Sequence, residues 1–189
     1  MRRGIVLVCL ATAGHLAGCG LFGTRDPESP ITGSGTYLQP DTPEQVVANI
    51  QAAVEELNTL NYRRSFSDSL VFTPSSTAEA NNPILSGWSL TNEEQYFSAV
   101  ASAAQFSVGH ELTLDNPSPV PVSERMSVVD TGYHLIINHN RPDIPTSYEG
   151  QLRWEIEQGV DGLWRLRGWT DRELGSEPTW SLLKAQFVD

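Results

Sequence analysis

Apolar residues recur at helical spacing early in the chain and at every second position later, and that change of period sets the expected architecture. Val46, Val47, Ile50, Ala53, Val54 and Leu57 form one helical stripe. It follows a start in which Thr42 caps, Pro43 suits the first turn and Gln45 completes a capping box. The spacing predicts a helix from there to about residue 60. Residues 61–70 (NYRRSFSDSL) read as a second, short helix, 71–74 (VFTP) as a brief extended piece closed by proline, and 75–86 as a polar loop. A second capping box at Thr91-Asn92-Glu93-Glu94 opens a helix with Tyr96, Phe97, Val100 and Ala104 on its apolar face.

The period then becomes two. Phe106, Val108, His110, Leu112 and Leu114 alternate with Ser107, Gly109, Glu111 and Thr113. Asp115-Asn116-Pro117 turns the chain, 122–129 reads as a second strand, and Asp130-Thr131-Gly132 as the next turn. Tyr133, Leu135, Ile137 and His139 line one side of a third strand. Tyr148, Gly150, Leu152, Trp154 and Ile156 face away from Glu149, Gln151, Arg153, Glu155 and Glu157, the cleanest alternation in the chain. Gly159-Val160-Asp161-Gly162 leads into a last strand over 163–170, and 178–187 reads as a short helix or an edge strand. Helices first and antiparallel strands afterwards give an α+β layout, with N-terminal helices packed on one face of a curved antiparallel sheet.

Two segments carry a further resemblance. They are Leu70-Val71-Phe72-Thr73-Pro74 and the closing run Tyr148-x-Gly150…Trp154…Asp161-Gly162-x-Trp164-Arg165-x-x-x-Trp169-x-Asp171. With the order of elements, over about 42–171, they resemble the nuclear transport factor 2-like (SnoaL-like) superfamily. The resemblance implies a cystatin-like roll with a pocket between sheet and helix, and a homodimer paired through the sheets. These motifs are hairpin and core signals, so they point to a fold and not to an activity.

Ahead of this domain, Arg2 and Arg3 precede an apolar run that begins at 4–10 (GIVLVCL) and continues to Ala13. That is short of the ~20 residues a bilayer span requires. Leu16-Ala17-Gly18-Cys19 closes the segment, which resembles the lipobox of bacterial lipoproteins. The resemblance implies cleavage before Cys19 and a diacylglyceryl group on its sulfur; the alternative is an ordinary secretory leader cleaved near Ala17. The expected organisation is a signal peptide at 1–18, an acylated Cys19 and flexible tether at 19–40, and one domain at 41–189. Gly20, at a position where Asp favours inner-membrane retention in that family, implies the periplasmic side or surface of the outer membrane.

Composition narrows the function. A formal charge of −11, or −13 once Arg2 and Arg3 leave with the leader, argues against nucleic acid as a partner. Attachment to a membrane would then rest on acyl chains, each buried CH₂ contributing about 0.8 kcal/mol. Cys9 leaves with the leader, so no disulfide is expected.

For chemistry, His110, Glu124 and His139 fall on or beside apolar stripes and would serve as general acid and base if their strands brought them into one cavity. The competing reading is two histidines each satisfied by a backbone hydrogen bond. Tyr62 and Asp68 match no family spacing closely enough to carry a role, and Asp171 is expected to pair with an arginine or cap a loop. No metal or cofactor is expected: His134 and His139 lie on opposite sides of a strand, and no H-E-x-x-H, carboxylate pair or Cys motif is present. Trp154 and Trp164 are expected to pack across one hairpin. Trp88 and Trp180, outside regular strands, are candidates to stack on a sugar or lipid. Two functions follow: a non-catalytic domain that binds a small ligand or a protein, or an isomerase- or hydratase-type enzyme. A pocket filled by tryptophans favours the first, and a cavity lined by His110, Glu124 and His139 the second.

Overall fold

A computed structural model describes residues 35–188 of the chain. The leader, Cys19 and the tether up to residue 34 lie outside the described residues. Helix α1 (Pro43–Glu55) begins as its sequence dictates: the Gln45 side chain accepts from the Thr42 N–H at 2.9 Å, and Val46, Val47, Ile50, Ala53 and Val54 are buried. It packs on the strands that close the sheet.

The second helix is shorter than its sequence pattern. Helix α2 covers Thr59–Arg64, capped by the Asn58 side chain, which accepts from the Asn61 N–H at 3.0 Å. From there β1 (Phe66–Thr73) is extended, because Phe66, Leu70 and Phe72 have to reach the core beside a neighbouring strand. Tertiary burial overrides the local helical preference. The polar stretch that follows is not plain loop. It holds α3 (Ser76–Asn81) and a 3₁₀ turn (Pro83–Leu85). Helix α4 (Leu90–Ala103) is capped by Ser89 with Asn92, not by Thr91, and this turns Glu93 inward.

The strands are β2 (Glu111–Leu114), β3 (Val120–Ser123), β4 (Met126–Ile136), β5 (Ser147–Gln158) and β6 (Trp164–Arg172). The sheet runs β1-β6-β5-β4-β2, with β3 also paired to β4. Pairing is antiparallel from β2 to β6, and β1 joins β6 in parallel. Phe106 and Val108 precede β2 and are 71% and 47% exposed, so the expected first strand is cut to its second half. Glu124 and Arg125 form the turn that splits the expected second strand. Asp130-Thr131-Gly132 is not a turn but the middle of β4. There Asp130 faces outward between Arg153 and Arg172, and Thr131 Oγ1 accepts from the Asn116 N–H at 2.9 Å.

Strand β5 keeps its alternation, with Tyr148, Gly150, Leu152, Trp154 and Ile156 inside. Trp154 stands opposite Trp169, their rings edge-on at 5.8 Å, so the expected Trp154–Trp164 pair does not form. The outer face carries Arg153 with Asp130 and Glu155, and Arg167 with Glu157. Such exposed pairs contribute at most about 1 kcal/mol each. A second copy docking on this face would have to strip water from all of them. Among the described residues no helix is long and apolar enough to cross a membrane. The residues after β6 resolve as helix α5 (Trp180–Phe187), which lies against α4 and β5.

Gly150 shows how closely the layers approach. A Cβ there would sit 2.7 Å from the Arg172 carbonyl and 2.7 Å from the Tyr133 hydroxyl, and backbone has no room to yield. Gly150→Ala is therefore expected to cost about 1–3 kcal/mol by overpacking, read as a lower midpoint in urea unfolding with an unchanged slope.

Candidate functional site

The space between helices and sheet is occupied by side chains. Trp154, Trp169, Trp180, Tyr62, Tyr96, Tyr148, Phe66, Phe97 and Lys184 are all less than 2% exposed. Trp180 packs edge-on against Trp169 at 4.6 Å, and Tyr62 stacks on Phe97 at 3.7 Å. Each large aromatic side chain buried in this way removes 150–250 Å² from water.

Two carboxylates organise this interior. Glu93, on α4, accepts from the Tyr62 hydroxyl at 2.6 Å, from Trp88 Nε1 at 2.7 Å and from the Lys184 ammonium. Lys184, on α5, is itself ringed by aromatics, its Nζ 3.8 Å from the Trp169 ring centre, 4.3 Å from Phe72, 5.2 Å from Tyr96 and 5.6 Å from Trp88. Burial pushes the Lys184 ammonium down to about 8, against the upward pull of the Glu93 carboxylate. The ring faces add cation–π attraction on a desolvated charge.

Asp171, at the end of β6, is the second organiser. It accepts from the Tyr133 hydroxyl at 2.8 Å, from the Ser181 N–H at 2.7 Å and from the Ser181 hydroxyl. The Tyr133 oxygen in turn accepts from the Trp180 N–H at 2.7 Å, and Trp180 Nε1 donates to the Tyr96 hydroxyl at 2.8 Å. The first turn of α5 thus has its free N–H groups satisfied by a carboxylate and a phenol, as a helix start requires. Asp171 pairs with neither an arginine nor a loop, the roles expected of it. Burial raises its carboxyl above the usual range despite the three donors.

His110, Glu124 and His139 do not meet. Glu124 is exposed in the β3–β4 turn, while the two histidines flank the far end of β4, about 30 Å of strand away at the usual rise per residue. His110 Nδ1 accepts from the Asn138 N–H at 3.2 Å, and burial lowers its ring below the usual value. His139 Nε2 donates to the Pro145 carbonyl at 3.1 Å, and its Nδ1 accepts from the Arg141 N–H at 3.3 Å. Trp88 and Trp180, the candidates for ligand stacking, are core residues at 4% and 0% exposure. Among the described residues no cluster of His, Cys, Asp or Glu is arranged to hold a metal. A cavity of about 270 Å³ between α2 and α4 reaches Tyr62 and Glu93, whose Oε1 accepts from Tyr62 and whose Oε2 accepts from Trp88 and Lys184.

Glu93 and Lys184 were legible in principle. Glu93, Tyr96, Phe97 and Val100 follow helical spacing, as do Trp180, Leu183, Lys184 and Phe187. Each apolar stripe carries one charge, and the charges are opposite.

This arrangement is the cystatin-like, nuclear transport factor 2-like α+β fold. At 10% identity it is similar to a ketosteroid isomerase-like protein from Erwinia carotovora atroseptica (TM-score 0.51, 70% of this chain and 93% of that one). At 11% it is similar to a scytalone dehydratase-like protein from Novosphingobium aromaticivorans (TM-score 0.54, 72% and 89%). At 13% it is similar to a nuclear transport factor 2-like superfamily protein from Salmonella enterica (TM-score 0.51, 71% and 87%). These likenesses establish the fold. No protein-family model and no curated protein matches the sequence.

Two measurements check the network. Lys184→Met leaves a buried carboxylate without its cation and is expected to cost about 3–5 kcal/mol, whereas Glu93→Gln with Lys184→Met recovers much of the loss; chemical denaturation of the two variants decides this. The second concerns the tyrosines. All five are raised, the core ones mainly by desolvation. A phenol whose folded value exceeds its unfolded value of ~10 stabilises the fold below pH 10 and loses that contribution as pH climbs further. Absorbance at 295 nm is therefore expected to show tyrosinate at the four core positions, Tyr62, Tyr96, Tyr133 and Tyr148, forming together with unfolding and not as a separate transition near pH 10.

Proposed function

We propose that this protein is a lipid-anchored protein of the bacterial cell envelope whose domain binds a ligand or partner and does not catalyse a reaction. The observation that carries the second half is the filled interior. Solved proteins of this fold include one described as ketosteroid isomerase-like, and an enzyme of that sort needs room for substrate beside its acid and base. Here Trp169, Trp180, Tyr96 and the Lys184–Glu93 pair occupy that room. The Glu93 carboxylate is held in place by the fold's own donors, a phenol, an indole and an ammonium.

The first half rests on the sequence. Arg2 and Arg3, the apolar run and Leu16-Ala17-Gly18-Cys19 support cleavage before Cys19 and acylation of its sulfur, and Gly20 supports outer-membrane sorting. A domain of this charge would otherwise be repelled by an anionic leaflet, so the acyl chains would be its whole attachment.

Mass spectrometry of the native protein is expected to find Cys19 at the N-terminus bearing diacylglyceryl. An unmodified Cys19, or a chain retaining Met1, overturns the anchoring. A metabolite panel followed by both thermal shift and product analysis is expected to give binding without turnover; turnover of any bound compound overturns the non-catalytic reading.

A further inference from the structure

A cleft lies outside the filled interior, where β1 leaves the sheet. Phe66 pairs with Leu166 and Val71 with Gly168, so β1 spends five steps where β6 spends two. The extra residues swing Ser67, Asp68 and Ser69 away from β6 and open a cleft of about 910 Å³. Bulges of this kind re-aim side chains and recur beside functional sites.

Three arginines converge there. Arg63 and Arg64 come from the last turn of α2, and Arg165 from the start of β6. In a chain with 12 basic residues against 23 acidic ones, that is a marked local concentration. Two of the three are neutralised within the fold. Arg63 Nη2 lies 2.6 Å from Asp68 with its Nε on Glu94, and Arg165 makes a fork with Asp161 at 3.1 and 2.7 Å. That fork, with the Leu163 N–H, holds the Asp161 carboxyl down at about 2, so the acid stays ionised and tied to its partner.

Arg64 has no such carboxylate among the described residues. Its guanidinium stands over the Tyr37 ring at 5.7 Å. Tyr37 is itself held in place: Leu38 and the Asn49 side chain exchange two hydrogen bonds of 2.7 Å, and the Pro40 carbonyl accepts from the Trp164 N–H at 2.8 Å. The segment carrying Tyr37 is therefore clamped to α1 on one side and β6 on the other. Phe66, Pro40 and Leu163 add apolar wall.

From this geometry we infer that the cleft binds a small organic oxyanion, a carboxylate or phosphate carried on a compact apolar or ring-shaped body. One guanidinium without a carboxylate among the described residues matches one anionic group, which a planar fork of N–H donors binds in bidentate fashion. The Tyr37 ring and the apolar wall take the body. The volume is that of a small-molecule site. Cations are disfavoured because Asp68 and Asp161 are engaged by their own arginines. The inference deepens the binding reading above and rests on it.

Calorimetric titration with benzoate, phenyl phosphate and glycerol phosphate tests it, the last standing for a lipid headgroup and the first two for free ring-bearing anions. Saturable binding is expected for at least one probe. Arg64→Ala should weaken it tenfold or more, Arg64→Lys less because the fork is lost but the charge kept, and Tyr37→Ala several-fold for the ring-bearing probes. Arg172→Ala, an equal loss of charge on the outer face of the sheet, should leave it unchanged. Preference for glycerol phosphate identifies a headgroup source, and preference for a ring-bearing probe a free metabolite; either supports the site. Binding that survives both Arg64→Ala and Tyr37→Ala, or that falls equally with Arg172→Ala, overturns the cleft and leaves the binding reading standing. No saturable binding of any probe also overturns the cleft, while the metabolite panel decides the broader reading.

Discussion

A charge buried in a protein is stable only where an opposite charge and oriented dipoles replace the water it has lost. Lys184 meets that condition through one carboxylate and four aromatic faces, and the rest of the interior is arranged around meeting it. Glu93 must turn inward from α4, Tyr62 must reach it from α2, and Trp169 must lie flat beneath the ammonium from β6. The pair joins α4 to α5. A buried ion pair is weak evidence for stability compared with an apolar replacement, but it discriminates sharply between correct and incorrect packing, since either partner alone is costly.

The same pair bears on function. In a roll of this type the concave side of the sheet is where a pocket would form, and here α5 supplies Trp180, Leu183, Lys184 and Phe187 to that space. Asp171 and Tyr133 fasten the helix by its first turn, so the plug is bonded to the sheet as well as packed against it. One cleft open to solvent is peripheral and comes from a strand irregularity at the sheet's edge. The fold is shared with a protein described as ketosteroid isomerase-like, and here side chains fill its interior.

Much of the architecture could be read from periodicity alone. The α1 stripe and the alternation of β5 are strong because one face of each element is buried along its whole length, with no competing local signal. The errors fell where tertiary pairing overrode local chemistry. Asp-Thr-Gly reads as a turn at 130–132 until Arg153 stands opposite Asp130 and Arg172 reaches it from β6, and residues 66–70 read as helix until Phe66 and Leu70 are needed in the core. For the site the misreading was of another kind. Histidines on apolar stripes drew attention because they are chemically versatile, yet backbone groups account for His139, and Glu124 stands in a turn. The informative residues are a glutamate within a capping motif and a lysine in a segment whose pattern fits helix or strand equally. Neither position suggests burial unless the two helices are considered together.

Glu93 and Lys184 are separated by 91 positions. Until α5 has been made and delivered, α4 carries a carboxyl group in the middle of its main apolar stripe, and closing the core around it would bury a polar group without its partner. An incomplete chain is therefore discouraged from premature collapse by its own sequence.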